Sequence, residues 1–246
     1  MRRISIVSLI GSTISILSFS LVAQAQSRQE LLQQLETRRA ELQKLEEQFL
    51  APADEDRAAF ADFLKQPDTG LIRLLPRETF DQFPNKPGKL TVRGGGAYYS
   101  FVRLTHEYGY GSDIELQQNY LSVGFAGADY GIMTMIDEVP LENVTPELSA
   151  AAFLFGYNPP NEEAARRQEI QSFRSSPKNI DGANYCSRLP VKVGATYLLR
   201  SISYGNSDVL VAFRVVRKDS DDSVILAWKL LKKFPKPELT RATVRN

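Results

Sequence analysis

The chain has 246 residues, 43% of them apolar and 24% charged, with 30 Lys or Arg against 29 Asp or Glu, one histidine and one cysteine. That composition is ample for a sizeable buried core; it excludes an internal disulfide framework and a zinc site built on two or three histidines. The near-balance of charge points to no particular charged partner.

The first residues, MRRISIVSLIGSTISILSFSLVAQAQ, carry two arginines, an apolar and serine-rich run from Ile4 to Val22, and then Ala23-Gln24-Ala25. This is the three-part layout of a secretory signal peptide, residues 1–25, with cleavage expected before Gln26. The rival is an uncleaved anchor. Against it, the run of about 19 residues is near the lower limit for spanning a bilayer and is diluted by Ser, Thr and Gly. No later run approaches that length, so no stable membrane insertion is expected once the leader is gone. With the single Cys186, an exported chain must be stabilised by burial alone, and the bacterial periplasm is the expected compartment. Cys186, in NYCSRL, is expected to be a buried small hydrophobe.

Losing Arg2 and Arg3 turns 30 basic residues into 28 against 29 acidic, a net of −1, but the distribution is uneven. Residues 188–246 hold 12 basic against 5 acidic, and residues 26–187 hold 16 against 24. Attraction between two parts of one fold accounts for this asymmetry; a basic face for an anionic polymer is the alternative.

A helical segment is expected over 26–66. In SRQELLQQLETRRAELQKLEEQFL, Leu31, Leu35, Leu42, Leu45 and Phe49 follow a 3.5-residue repeat, with Arg38 in the one polar seam position. Such a stripe on an otherwise polar helix needs something to cover it. Ser27 with Glu30 reads as a capping box that starts the helix. Three heptads with an arginine in the seam are marginal for a free coiled coil, so docking or weak self-association through 27–50 is expected. Pro52 stops this helix. A second short one, Asp54 to Lys65, shows Ala58, Ala59, Phe60, Phe63 and Leu64 on one side, and Pro67 to Gly70 then turns the chain.

From Leu71 the period becomes that of strands, in a β-rich domain over 67–240. The expected strands are Leu71 to Leu75, Leu90 to Arg93, Ala97 to Leu104, Ile114 to Gln117, Tyr120 to Phe125 and Tyr130 to Ile136. A helical or irregular insertion on the surface is expected at about 141–180. ATYLLRSISY, DVLVAFRVVR and SVILAWKLLKKF then read as three strands of an antiparallel meander, since their connections are short. VLVAF and VILAW are apolar at successive positions, which marks strands covered on both faces. The fold class is therefore α+β: N-terminal helices, one heptad-patterned, followed by a mainly antiparallel β domain, sandwich or barrel-like, with helix covering the sheet. Residues 241–246 read as a tail.

RGGGAYYSF, residues 93–101, places three glycines between strands. A phosphate loop would need a helix after them and a glycine where Tyr99 stands, so a hairpin loop or bulge is expected. Glycine and aromatics recur in HEYGYGSD and in VGFAGADYG. Glycine notches covered by rings explain the pattern; a stacking surface for sugar or peptide is the sharper reading, built on Tyr98, Tyr99, Tyr108, Tyr110 and Tyr130. Arg93, Tyr98, Tyr99, His106, Tyr108 and Tyr110 are thus the candidate binding residues.

His106 is the one candidate catalytic residue. No H-E-x-x-H, C-x-x-C or G-x-S-x-G motif surrounds it, so no metal and no cofactor is expected. KDSDDS, residues 218–223, reads as a polar hairpin turn and not a calcium loop, because the sixth position from Asp219 is Val224. The lysines at 229, 232, 233 and 236 protect a strand end. Export and the want of a reading helix argue against nucleic acid. The sequence thus points to an exported, non-catalytic binding or structural module whose partner is a protein or an envelope polymer. The alternative is a periplasmic hydrolase using His106 or a carboxylate pair in a tyrosine-lined cleft.

Overall fold

Between Thr196 and Lys233 the runs VLVAF and VILAW are apolar at every position, and such runs are stable as strands buried on both faces. A computed structural model, which describes residues 10–80, 96–106, 108–109, 111–124 and 129–240, shows where those two covers come from. The chain divides into two units, 1–49 and 50–246.

In the first unit, helix α1 (Ile10–Leu50) is continuous. The start expected at Ser27 is not formed, because the helix already runs through it from Ile10, and between Arg28 and Leu50 there is no glycine or proline to break it. Leu31, Leu35, Leu42 and Leu45 are all exposed on it. Its last residue, Leu50, belongs to the second unit and is buried with Leu75.

The second unit opens with α2 (Asp54–Ala59) and α3 (Ala61–Leu64). The sequence favours one helix here, but the backbone breaks at Phe60 (φ −103°, ψ 14°). The three acids in the first turn of α2 suit the positive end of its dipole. Asp56 also accepts the Ala53 N–H at 3.2 Å and pairs with Arg217, which ties α2 to a strand far along the chain.

Among the described residues the remaining α-helices and strands are β1 (Thr69–Leu74), α4 (Arg77–Phe80), β2 (Tyr98–Tyr99), β3 (Ile114–Gln117), β4 (Tyr120–Ser122), β5 (Asp129–Met135), α5 (Ser149–Gly156), α6 (Glu163–Ser175), β6 (Lys178–Ile180), β7 (Ala183–Tyr185), β8 (Arg188–Pro190), β9 (Thr196–Ser203), β10 (Ser207–Lys218) and β11 (Val224–Lys233), with a 3-10 turn at Leu141–Asn143. A five-stranded sheet has the order β1-β11-β10-β9-β5, and a four-stranded one the order β2-β3-β4-β8. Their pairings are antiparallel, and β9, β10 and β11 form the expected meander.

Register sorts the side chains. Phe213 lies opposite both Tyr197 and Trp228, and these three face the small sheet along with Leu199, Val211 and Leu226. The alternate residues Leu198, Ile202, Leu210, Ala212, Ile225 and Ala227 face the other way, into a cluster with Phe63, Ala151, Leu154 and Phe173. The body is therefore layered, with the small sheet, the large sheet and helix in that order. Each fully buried Leu, Ile, Val or Phe stabilises it by about 1.5–3 kcal/mol. The segment expected as a surface insertion supplies the helical cover, since α5 and α6 bury Ala151, Leu154 and Phe173.

The expected strand Ala97 to Leu104 shrinks to Tyr98–Tyr99. Beyond it, side chains take over the backbone donors: Asp113 accepts the Phe101 N–H at 2.7 Å and Ser100 Oγ the Arg103 N–H at 3.2 Å. The chain turns there, with Leu104 at φ 57°. The expected strand Leu90 to Arg93, with Gly94 and Gly95, lies outside the described residues. Gly96 is described, at φ +72°, and a Cβ on it would lie 2.5 Å from Leu50 Cδ2. Only glycine fits a position that is both left-handed and pressed against another chain segment.

Candidate functional site

The edge of the small sheet gathers four of the sequence candidates. Tyr98 and Tyr108 pack with ring centroids 4.6 Å apart, and Tyr99 meets His106 edge-on at 5.0 Å. Tyr98 and Tyr99 are only 3% and 5% exposed, so their faces serve the core, where Tyr99 also contacts Phe101 and Trp228. Tyr108, 51% exposed, is the tyrosine here that presents a face to solvent. Tyr130 is buried on the far side of the large sheet, so the five tyrosines do not share one surface. Arg93 and Tyr110 lie outside the described residues.

His106 is held by a single well-formed bond, Nε2 to the Arg73 carbonyl oxygen at 2.8 Å. A carbonyl can only accept, so Nε2 carries the proton and a neutral ring keeps its lone pair on Nδ1. Burial lowers the imidazole pKa, against the opposing pull of that carbonyl. The ring thus works as a neutral strut between β1 and the turn after β2.

Two carboxylates flank the start of β3, and each is committed to local partners. Asp113 accepts from Phe101 N–H and, at 2.6 Å, from Ser201 Oγ, and burial pushes its carboxyl up to about 6. Glu115 pairs with Arg77 Nη1 at 2.9 Å and accepts from Ser122 Oγ at 3.1 Å. Among the described residues no three His, Cys, Asp or Glu side chains come together in a way that would hold a metal ion.

A second gathering lies where α5 passes into α6, and sequence reasoning did not find it. Tyr157, Asn158, Pro160, Gln168, Glu169 and Ser172 line a shallow cleft of about 410 Å³. The Tyr157 and Tyr130 hydroxyls touch, Tyr130 lies 3.4 Å from Glu169 Oε2, and Lys178 Nζ pairs with the same oxygen at 3.2 Å. Tyr204 donates to the Pro160 carbonyl at 2.5 Å. Burial raises the Tyr130 and Tyr157 phenols, so both remain neutral hydroxyls. The cleft is a wall of neutral donors and acceptors around a carboxylate already balanced by a lysine, suited to hydrogen bonding and without an activated nucleophile. The one signal in the sequence was Tyr157 directly ahead of Asn158-Pro159-Pro160, where the prolines end α5 and Tyr157 takes an extended backbone.

No family model, curated protein or solved structure matches this chain. The functional reading therefore rests on the molecule itself. Beneath the cleft, Arg200 and Asp208 form a buried bidentate pair, Nε to Oδ1 at 2.5 Å and Nη2 to Oδ2 at 2.8 Å. Arg200 Nη1 also donates to the Leu154 carbonyl at 2.5 Å, and its guanidinium stacks 3.2 Å from the Phe234 ring centre. Leu154 lies in the last turn of α5, where carbonyls lack helical partners, so this arginine serves as the helix's C-terminal cap. The pair is architecture.

On α1 the polar residues of the seam and its flanks, Arg38, Arg39 and Glu41, are exposed together with the leucines. Among the described residues no helix is long and apolar enough to cross a membrane.

Proposed function

We propose that the protein is an exported, non-catalytic binding or structural module of the bacterial cell envelope, and that α1 is the element through which it associates. One observation carries this reading. Leu31, Leu35, Leu42 and Leu45 recur at heptad spacing on a regular helix and are 55%, 51%, 43% and 52% exposed. Four leucines in one stripe have no stabilising role while they face water, and covering each is worth about 1.5–3 kcal/mol before ordering costs. The leader-like start of the chain supports export, and a body stabilised by burial and internal ion pairs suits a compartment where a lone cysteine has no partner.

The hydrolase alternative draws less support. The His106 ring is spent on the Arg73 carbonyl and the Tyr99 face, and Asp113 and Glu115 are bonded inside the fold.

Cell fractionation tests the proposal. A chain lacking residues 26–48 keeps Leu50, and with it the contact to Leu75. The intact protein is expected to co-sediment with envelope assemblies, and the shortened one to stay free in the periplasmic extract. An identical distribution for the two chains would remove α1 from the function.

A further inference from the structure

We infer that the occupant of the α1 stripe is a second copy of the same helix, running antiparallel, in a register that sets Leu35 against the partner's Leu45 and Arg38 against the partner's Leu42. The inference rests on the reading of α1 as the association element and goes further by naming what it binds and in which direction.

Charge decides the direction. In heptad terms Leu35 and Leu42 occupy a positions, Leu31, Arg38 and Leu45 occupy d positions, Arg39 and Glu46 are e, and Gln34, Glu41 and Gln48 are g. In a parallel pair in register, each d side chain faces its own counterpart and is flanked by the partner's e residue. Arg38 would then face Arg38, with Arg39 from both chains on the rim, so four guanidinium groups would crowd one layer. Glu41 would look across at the partner's Glu46, a second like-charge contact. Such pairings disfavour the complex.

Reversing one helix exchanges these neighbours. In an antiparallel pair a layers meet d layers, and the d side of one helix runs along the g side of the other. With Arg38 packed against the partner's Leu42, the residue on that flank is the partner's Glu41, one position away along the chain. The dyad repeats the contact, so two Arg38–Glu41 pairs alternate in sign around the centre. Each Arg38 lays its methylene stem along a leucine and keeps its charged end beside a carboxylate. The same register brings Leu35 against Leu45 in two further layers. Its like-charge contacts are Arg39 with Arg39 on the opposite rim and Glu41 with Glu41 across the dyad; water screens the first, and each Glu41 has an Arg38 beside it. The seam arginine, which weakens a parallel coiled coil, thus becomes the residue that fixes orientation.

Disulfide trapping of the full protein purified from the periplasm reads the direction. Leu35→Cys and Leu45→Cys are made separately, one carrying a mass tag, and oxidised alone and as an equimolar mixture. The buried Cys186 of the unsubstituted protein serves as the background control. The antiparallel register predicts cross-linked dimer in the mixture, made of one chain of each kind, and little in either variant alone. Homodimers from each variant alone, with no mixed species, would overturn the inference in favour of a parallel pair.

Charge reversal gives an independent readout that leaves the leucines intact. Glu41→Arg is expected to weaken dimerisation, and adding Arg38→Glu to restore it. In a parallel pair Arg38→Glu alone would separate the crowded arginines, so strengthening by that single change also counts against the antiparallel register. A protein monomeric at every concentration by sedimentation would overturn self-association. If residues 26–48 were nonetheless still needed for co-sedimentation with the envelope, the association role of α1 would stand and only its partner would change.

Discussion

Replacing Arg200 by methionine is a demanding probe of the layered body. The Arg200 and Asp208 side chains are 1% and 2% exposed, so the substitution leaves a carboxylate sealed from water without its two charge-assisted bonds. Breaking a buried pair from one side costs about 3–5 kcal/mol. The Leu154 carbonyl at the end of α5 loses its donor as well, which adds about 1 kcal/mol. Summed, Arg200→Met should lower stability by about 4–6 kcal/mol, a fall in Tm of roughly 10–20 °C for a body of this size. Urea unfolding followed through Trp228, the one tryptophan of the chain and a member of the sheet core, reports on this body directly. Arg200→Met combined with Asp208→Leu removes both charges from the same face and should recover most of the loss, because two matched apolar residues are often no worse than the pair. A loss under about 1 kcal/mol for the single variant, or a double variant no better than the single, would refute the account of how α5 is fixed to the sheet.

Four further outcomes follow from the fold. Asp113, with its carboxyl raised from 3.8 to about 6, holds a proton in the folded chain that the unfolded chain releases between those values. Stability therefore falls as pH rises through that window, by on the order of 3 kcal/mol, and Asp113→Asn should flatten the slope in denaturation curves. His106 acts with the opposite sign: its lowered pKa means that acidification below 6.5 protonates the unfolded chain first and draws stability away. His106→Leu should lose that acid-side dependence together with about 1 kcal/mol from the Arg73 bond. Gly131→Ala would set a Cβ 2.1 Å from Val123 Cγ2, between the two sheets, and should cost about 1–3 kcal/mol in calorimetry. Gly156→Ala meets nothing within 4 Å and should be neutral or slightly stabilising.

Legibility in the sequence tracked how local the governing physics was. The meander of β9 to β11 could be read because short connections force antiparallel pairing and because VLVAF and VILAW have no polar side to turn outward. Ile114 to Gln117 was read to its limits for a similar reason, being a brief branched run between turns. Ala97 to Leu104 misled because its composition suits a strand, while Asp113, twelve residues beyond Phe101, decides that the chain bends. The helix start at Ser27 failed differently. A capping box needs its N-cap residue to leave the helix, and the residues from Ile10 onward continue it instead. Arg200 gave the faintest signal of all, a charge amid TYLLRSIS whose partner is seen only once β9 and β10 are paired in register. The hydroxyl cleft was equally hidden, since Tyr130, Tyr157, Glu169 and Tyr204 come from four separate stretches of the chain.

Sedimentation velocity of the purified protein with Leu35 and Leu42 both changed to glutamate bears most directly on the central claim, that the exposed α1 stripe is an association surface distinct from the folded body. The account predicts a drop to monomer mass with Trp228-detected unfolding unchanged. Unaltered sedimentation, or a body that unfolds with the substitution, would contradict it.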